Sequence, residues 1–310
     1  MKKIFIDGGA GTTGLRILER LSARADIELV TLADEDRKNP VFRKKALNSC
    51  DVAILCLPDD AAREAVSMIE NENVTVIDAS TAHRTLDTWA YGFPELSAAH
   101  AQKIRKSKRI AVPGCHASGF LALVYPLIES GAISRDALIC CHSVTGYSGG
   151  GKRMISEYEN RGKDFLLEAP RHYALTQAHK HLPEMKKIAN LSTAPIFSPI
   201  VSDFYSGMTV TVPLFAKQLE DGHDLDSVKN IFTAKYRGGV VKYTDGAEYG
   251  GFISANALHG KDSMAISVMG NADRIILAAA FDNLGKGASG AAVQCLNMVI
   301  GADPTSGLVL

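Results

Sequence analysis

Cys115 is the residue of this chain best placed to act as a chemical reagent. It stands in Pro113-Gly114-Cys115-His116-Ala117-Ser118-Gly119, and the Phe120, Val124 and Leu127 that follow keep helical spacing. A thiol at a helix start meets the helix dipole and free N–H donors, which lower its pKa and give thiolate near neutral pH. Small neighbours leave the sulfur accessible, and Pro126 bends the helix without altering its start. Cys50, Cys56, Cys140, Cys141 and Cys295 lie in apolar runs or at element ends and read as packing. A nucleophilic thiol also needs a base. His179-Lys180-His181-Leu182-Pro183-Glu184 supplies imidazoles and a carboxylate that can fix a tautomer. No third ligand is spaced for a metal, so none is expected. Whether His179 or His181 faces the sulfur stays open.

A second constellation sits near the N-terminus. Asp7-Gly8-Gly9-Ala10-Gly11-Thr12-Thr13-Gly14 follows the apolar Ile4-Phe5-Ile6 and precedes a helical pattern, so Gly9-x-Gly11-x-x-Gly14 falls between a strand and a helix. In that context the glycines allow pyrophosphate to approach bare backbone at a helix N-terminus. Asp34, at the end of the second strand, is spaced to reach a ribose hydroxyl, which favours NAD. Arg37 and Lys38 beside it suit the extra phosphate of NADP, and the residues alone leave the choice open. Lys152-Arg153 after Gly149-Gly150-Gly151 form a candidate anion loop, or a flexible hairpin with basic ends. Arg84 is a further candidate anion ligand, or an ordinary surface arginine.

The elements that must position these residues fall into two textures. Up to about residue 112, short apolar runs alternate with helical stretches: Ile4–Ile6, a helix with Leu15, Leu18 and Leu21 on one face, Ile27–Leu32, Val52–Leu57, a helix over 59–70, Val74–Ile77 and Arg109–Val112. Beyond about residue 135 come the long strands Ala137–Thr145, Met208–Phe215, Ser263–Met269 and Arg274–Ala280, then a small-residue helix over 287–300. The pattern predicts an α/β protein, with a Rossmann-like doubly wound parallel sheet plus a second α+β domain carrying a mixed sheet. The expected domains are 1–114 with about 283–310 for the nucleotide, and 115–282 for catalysis and oligomerisation. The 310 residues carry 34 Lys+Arg against 34 Asp+Glu, which argues against a general polyanion binder such as a nucleic-acid protein. The N-terminus lacks a signal-peptide core, no apolar run spans a bilayer, and six cysteines do not make a disulfide framework. A cytoplasmic protein without membrane partners is expected.

Together these segments resemble N-acetyl-gamma-glutamyl-phosphate reductases, in their shorter, type 2 class. The motifs that carry the resemblance are Ile6 to Gly14, Asp78-Ala79-Ser80-Thr81-Ala82-His83-Arg84, Val112-Pro113-Gly114-Cys115, Gly146 to Gly151, His179 to Glu184, and Asp282-Asn283-Leu284-Gly285-Lys286-Gly287-Ala288-Ser289-Gly290. They run in family order over nearly the whole chain. The resemblance implies NADPH-dependent reduction of N-acetyl-L-glutamyl 5-phosphate to the 5-semialdehyde in arginine biosynthesis. Inorganic phosphate is released through a thioacyl enzyme on Cys115. It implies His181 as acid/base, from the match of His181-Leu182-Pro183-Glu184 to the family's His-x-Pro-Glu. Glu184, Tyr173 and Ser148 are implied as supporting residues, with Arg84, Lys152 and Arg153 toward the substrate. Pro58, Ser80, Asn283, Lys286 and Gly287 join the glycine loop on the cofactor side, in a homo-oligomer (dimer or tetramer). Where the longer class has an aromatic residue and then a threonine after the cysteine, this chain has His116-Ala117-Ser118. Two other readings are an aspartate-semialdehyde dehydrogenase-like acyl-phosphate reductase and a non-catalytic dinucleotide-binding redox regulator.

Overall fold

The computed structural model describes residues 1–245 and 250–310 and divides them into two units, Met1–Gly114 with Ala288–Leu308, and Cys115–Gly287 with Val309–Leu310. In the first unit the chain runs β1 (Lys2–Asp7), α1 (Thr12–Leu21), β2 (Ile27–Val30), α2 (Pro40–Ser49), β3 (Val52–Leu55), α3 (Asp59–Ser67), β4 (Thr75–Asp78), β5 (Ala90–Tyr91), α4 (Ala98–Lys106) and β6 (Arg109–Ala111). The second unit holds α5 (Cys115–Glu129), β7 (Cys140–Gly146), α6 (Gly151–Glu159), β8 (Arg171–His172), α7 (Leu182–Ile188), β9 (Ile196–Ser202), β10 (Met208–Phe215), α8 (Leu225–Lys235), β11 (Val241–Tyr243), β12 (Met264–Gly270) and β13 (Arg274–Phe281). Helix α9 (Gly290–Ile300) returns to the first.

The first unit is a six-stranded, all-parallel sheet in the order β2-β1-β3-β4-β6-β5. Alternation along β1 sends Ile4 and Ile6 to a core shared with Ile17, Leu21, Val293 and Leu296, and Phe5 to another with Leu47, Leu55 and Trp89. Both faces are therefore covered, α9 serving one of them, as the near-continuous apolar β3 requires. The strand order reverses between β1 and β3, which puts the Gly8–Gly14 loop and Pro58 at the crevice where such sheets take ligands. Helix α1 departs from the expected face: Gly14, Ile17 and Leu21 are buried, whereas Leu15 is exposed. The α1 residue that packs inward midway is Ile17, four before Leu21, and Leu15 lies around the helix from it.

A buried ion pair, with no local signal in the sequence, pins the end of β1. Arg43 of α2 donates through Nε at 3.2 Å and Nη2 at 3.0 Å to Asp7 Oδ2, and through Nη1 at 3.1 Å to Glu64 of α3. Burial alone would weaken the Arg43 cation, but the two carboxylates outweigh it and hold its pKa above the ordinary value.

The second unit is a seven-stranded mixed sheet, β11-β12-β13-β10-β7-β9-β8, with β7/β9 and β11/β12 parallel and the other pairs antiparallel. Strand β9 escapes a reading by alternation because Pro199 interrupts it. Helix α5 packs on β10 and β13, and Gly119 allows the approach: a Cβ there would lie 2.5 Å from Val210 Cγ2. On β10, Met208, Val210, Val212 and Leu214 are buried, while Phe215 on the opposite face is exposed together with Ile276 and Ile196. Residues 283–287 group with this unit rather than with the nucleotide-binding one. Among the described residues no helix is long and apolar enough to cross a membrane.

Candidate active site

Cys115 is the first residue of α5 and is partly exposed, at the positive end of the helix dipole. The π-helical turn Gly285–Ser289 passes close by, and a Cβ on Gly287 would lie 3.0 Å from Cys115 Cβ. Tyr173 is near enough that, after burial, the charge of Cys115 further raises the phenol's pKa.

Three imidazoles gather in the same unit. Ring centroids lie 4.7 Å apart for His179 and His181, 5.6 Å for His116 and His179, and 5.6 Å for His116 and His181, with Phe197 against His116 at 5.2 Å. His181 is buried at the N-cap of α7, and Glu184, almost fully buried, stands in that helix's first turn. His179 Nδ1 accepts from the His181 backbone N–H at 3.1 Å, which fixes its remaining proton on Nε2. Burial, then the Lys180 charge, pushes the His179 pKa down to about 4. Burial, then His179 and Lys180, pushes His116 down to about 3.

This pair sets a pH dependence. Folded, both rings are neutral; unfolded, each takes a proton near pH 6.5. The unfolded chain thus binds more protons, so their contribution is full above 6.5 and is lost as pH falls from there toward 4. Each histidine is expected to cost about 1.4 kcal/mol per pH unit inside that window. Urea midpoints measured across it should fall with pH; a flat profile would mean the rings accept protons without unfolding.

Asn283 donates from Nδ2 to Ser148 Oγ at 3.0 Å and accepts from Gly207 N–H at 2.8 Å. It is held by Asp282, which accepts from Ser206 Oγ at 2.8 Å and from the N–H groups of Leu284 at 2.7 Å and Gly285 at 3.1 Å. The Asp282 hub is a component that sequence reasoning missed. Lys286 is buried beside it in the chain. Lys152 and Arg153 are not in a flexible hairpin: the 3-10 turn Tyr147–Gly150 runs straight into α6, whose first turn they occupy. Both are exposed, and Arg153 bridges to Glu157 at 3.0 Å.

In the first unit, the loop after β4 is built on Asp78, which accepts from Ser80 N–H at 2.9 Å and Oγ at 2.6 Å and contacts His83 Nδ1 at 2.6 Å. His83 stacks on Trp89, with centroids 4.0 Å apart. Arg84 is buried, not a surface arginine, and donates from Nε to Val112 O at 2.9 Å and from Nη2 to Ala79 O at 3.0 Å. In the glycine loop, Gly8 has φ +82° and its Cβ would meet Cys56 O at 2.3 Å, while a Cβ on Gly14 would meet Gly8 O at 2.6 Å. Those two glycines serve the chain's own packing. Gly11 is different: a Cβ there would meet nothing nearer than Gly8 O at 3.4 Å, so the chain's own packing does not demand glycine at the α1 N-cap. Gly9, Thr12 and Thr13 complete this cradle, which fits a dinucleotide pyrophosphate. Asp34 and Arg37 pair at 2.8 Å, both exposed. Among the described residues, no group of three or more His, Cys, Asp or Glu is placed to hold a metal ion.

A parallel sheet with a pyrophosphate cradle, and a cysteine at a helix start in a mixed-sheet unit, define a dehydrogenase of the semialdehyde class. Residues 3–104 match the semialdehyde dehydrogenase NAD-binding domain, and residues 115–283 the semialdehyde dehydrogenase dimerisation domain. Solved structures share the fold: aspartate semialdehyde dehydrogenase II of Vibrio cholerae, complexed with ASA, has a TM-score of 0.72 at 16% identity over 97% of this chain and 98% of that one. Aspartate semialdehyde dehydrogenase of Candida albicans, with NADP, has a TM-score of 0.64 at 14% identity over 97% and 99%. At the level of sequence, the N-acetyl-gamma-glutamyl-phosphate reductase of Allorhizobium ampelinum is 44% identical over 308 residues, covering 97% of this chain and 99% of that protein. The chain belongs to the N-acetyl-gamma-glutamyl-phosphate reductase family, a family of oxidoreductases that use a nicotinamide dinucleotide.

Proposed function

We propose that the chain reduces N-acetyl-L-glutamyl 5-phosphate to N-acetyl-L-glutamate 5-semialdehyde with release of inorganic phosphate, a step of arginine biosynthesis. The observation that carries this reading is the accessible Cys115 at a helix start, in a chain 44% identical to such a reductase along 97% of its length. The Cys115 thiolate attacks the acyl carbon; a carbon–sulfur bond forms, and phosphate leaves with the electron pair of its bond to that carbon. A nicotinamide dinucleotide, held by Gly8, Gly9, Gly11, Thr12, Thr13 and Gly14 with Pro58 and Ser80, supplies the hydride when bound. N–H groups at the start of α5 hold the negative charge that develops on the acyl oxygen. His181 gives a proton to that oxygen once the acyl carbon is reduced, and takes it back at release as the carbon–sulfur bond breaks with its pair returning to sulfur. His181 is favoured over His179 because His179 spends Nδ1 on a backbone N–H and is a weak base. Glu184 orients His181, while Ser148, Asn283, Lys286 and Gly287 shape the region beside the sulfur. Arg84 aligns the substrate side through its fixed position, and Lys152 and Arg153 act as outer cations. NADP is the dinucleotide this reading takes from the resemblance to the family, since Arg37 is paired with Asp34 and these residues do not decide it.

The test runs the reverse reaction with phosphate and NADP⁺ on both semialdehydes. A preference of about a hundredfold for the N-acetylglutamate compound is expected; a preference for the aspartate compound would overturn the reading. The exposed Phe215, Ile276 and Ile196 face of the second sheet supports a homodimer built on it, in a cytoplasmic enzyme whose six cysteines are free thiols. A monomer by light scattering would refute the dimer.

A further inference from the structure

We propose that His116 is a positioning residue for the chemistry at Cys115: it fixes the Tyr173 oxygen and leaves the Tyr173 hydroxyl proton to be donated to the group bound at the sulfur. The inference rests on Cys115 as the nucleophile and adds a residue to that reading.

Ser143 on β7 is fully buried, and among the described residues its hydroxyl has one hydrogen-bond partner, His116 Nδ1 at 2.7 Å. A buried O–H without an acceptor is costly, so Ser143 donates and Nδ1 accepts. A neutral imidazole carries a single proton, which then sits on Nε2. That nitrogen lies 2.6 Å from the Tyr173 hydroxyl oxygen, so the ring N–H donates and the phenol oxygen accepts. The phenol's own proton must turn another way, and the ring that holds its oxygen belongs to the residue next to Cys115 at the start of α5.

The surroundings hold the arrangement in this state. The ring is buried and stays neutral through the physiological range. The titratable groups that face it are Tyr173, His179 and His181, with the Lys180 charge beyond, and Phe197 of β9 closes a further side. A phenol kept protonated and held by the residue that follows Cys115 in the first turn of α5 can stabilise a thiolate there, and equally the oxygen that gains charge when sulfur adds to a carbonyl carbon. Leucine at 116 would strand the Ser143 hydroxyl and free the phenol to rotate.

Nitrogen-15 spectra of histidine-labelled protein test this without a functional assay, with His116→Gln assigning the resonance. The ring so assigned is expected to be neutral and protonated on Nε2, unchanged between about pH 5 and 8. A ring protonated on Nδ1 would overturn the proposal, and this reading needs no variant other than the one used for assignment. The second arm follows iodoacetamide alkylation of Cys115 against pH. Tyr173→Phe and His116→Leu are each expected to raise the midpoint by about half a pH unit, the double variant no further, and His116→Gln to recover part of the shift. Shifts that add in the double variant would contradict it. In turnover, His116→Leu should lower kcat about tenfold with KM within about twofold. A protein that shows the Nε2 tautomer and the shared alkylation shift yet reduces no acyl phosphate would defeat the proposed reaction and leave this inference standing.

Discussion

Cys115→Ser is expected to reduce turnover by more than about 10³-fold while leaving the fold and dinucleotide binding intact. The proposed reagent is a thiolate: the side chain stands at the first turn of α5, where the helix dipole favours an anion. A serine hydroxyl there is hardly ionised at neutral pH, so the same environment gains nothing from it. Space does not account for the loss, because oxygen is smaller than sulfur and the 3.0 Å constraint from Gly287 acts at Cβ. The variant should match the parent in circular dichroism and NADPH titration, with the loss confined to kcat. The other cysteines should tolerate the same change far better. Burial pushes the Cys50 thiol up to about 11 and Cys56 to about 12, and raises Cys141 as well, which leaves them protonated and inert. Near-normal phosphate-dependent turnover in Cys115→Ser would rule out covalent catalysis.

Gly8→Ala is the second large effect, and it acts on fold and ligand together. The residue sits at φ +82°, and its new Cβ would lie 2.3 Å from Cys56 O, a backbone atom that cannot swing aside. Left-handed strain of about 1–2 kcal/mol and overpacking of about 1–3 kcal/mol give an expected loss near 3 kcal/mol in urea unfolding. Dinucleotide affinity should fall more than about tenfold as the loop shifts. Gly11→Ala separates the two contributions, because its Cβ would meet only Gly8 O at 3.4 Å. Its stability should stay within about 1 kcal/mol of the parent while affinity drops. If Gly11→Ala bound NADPH as tightly as the parent, the loop would not be where the pyrophosphate lies.

What could be read in the sequence was what is local. The glycine loop declares itself because its strand, turn and helix are contiguous, and Cys115 because its helix start is written in the seven residues from Pro113 to Gly119. The face of α1 was misjudged because three leucines at helical spacing outweighed a single isoleucine, while the sheet beneath selects Ile17. The remaining parts depend on partners brought together by topology. Asp7 meets Arg43 across 36 residues, His116 meets Tyr173 across 57, and Asp282 meets Ser206 across 76. No periodicity records such pairs. His116 shows the limit most clearly: beside Cys115 it reads as one more histidine and as a departure from the aromatic of the longer class, while its partners Ser143 and Tyr173 are supplied by the mixed sheet and its loops.

Whether Cys115 carries the acyl group is decided by mass spectrometry of the enzyme incubated with N-acetyl-L-glutamyl 5-phosphate without dinucleotide. A single N-acetylglutamyl adduct on the peptide bearing Cys115 is expected, with an equal amount of phosphate released. An unmodified Cys115 and no phosphate release, from enzyme that turns over once NADPH is added, would contradict it.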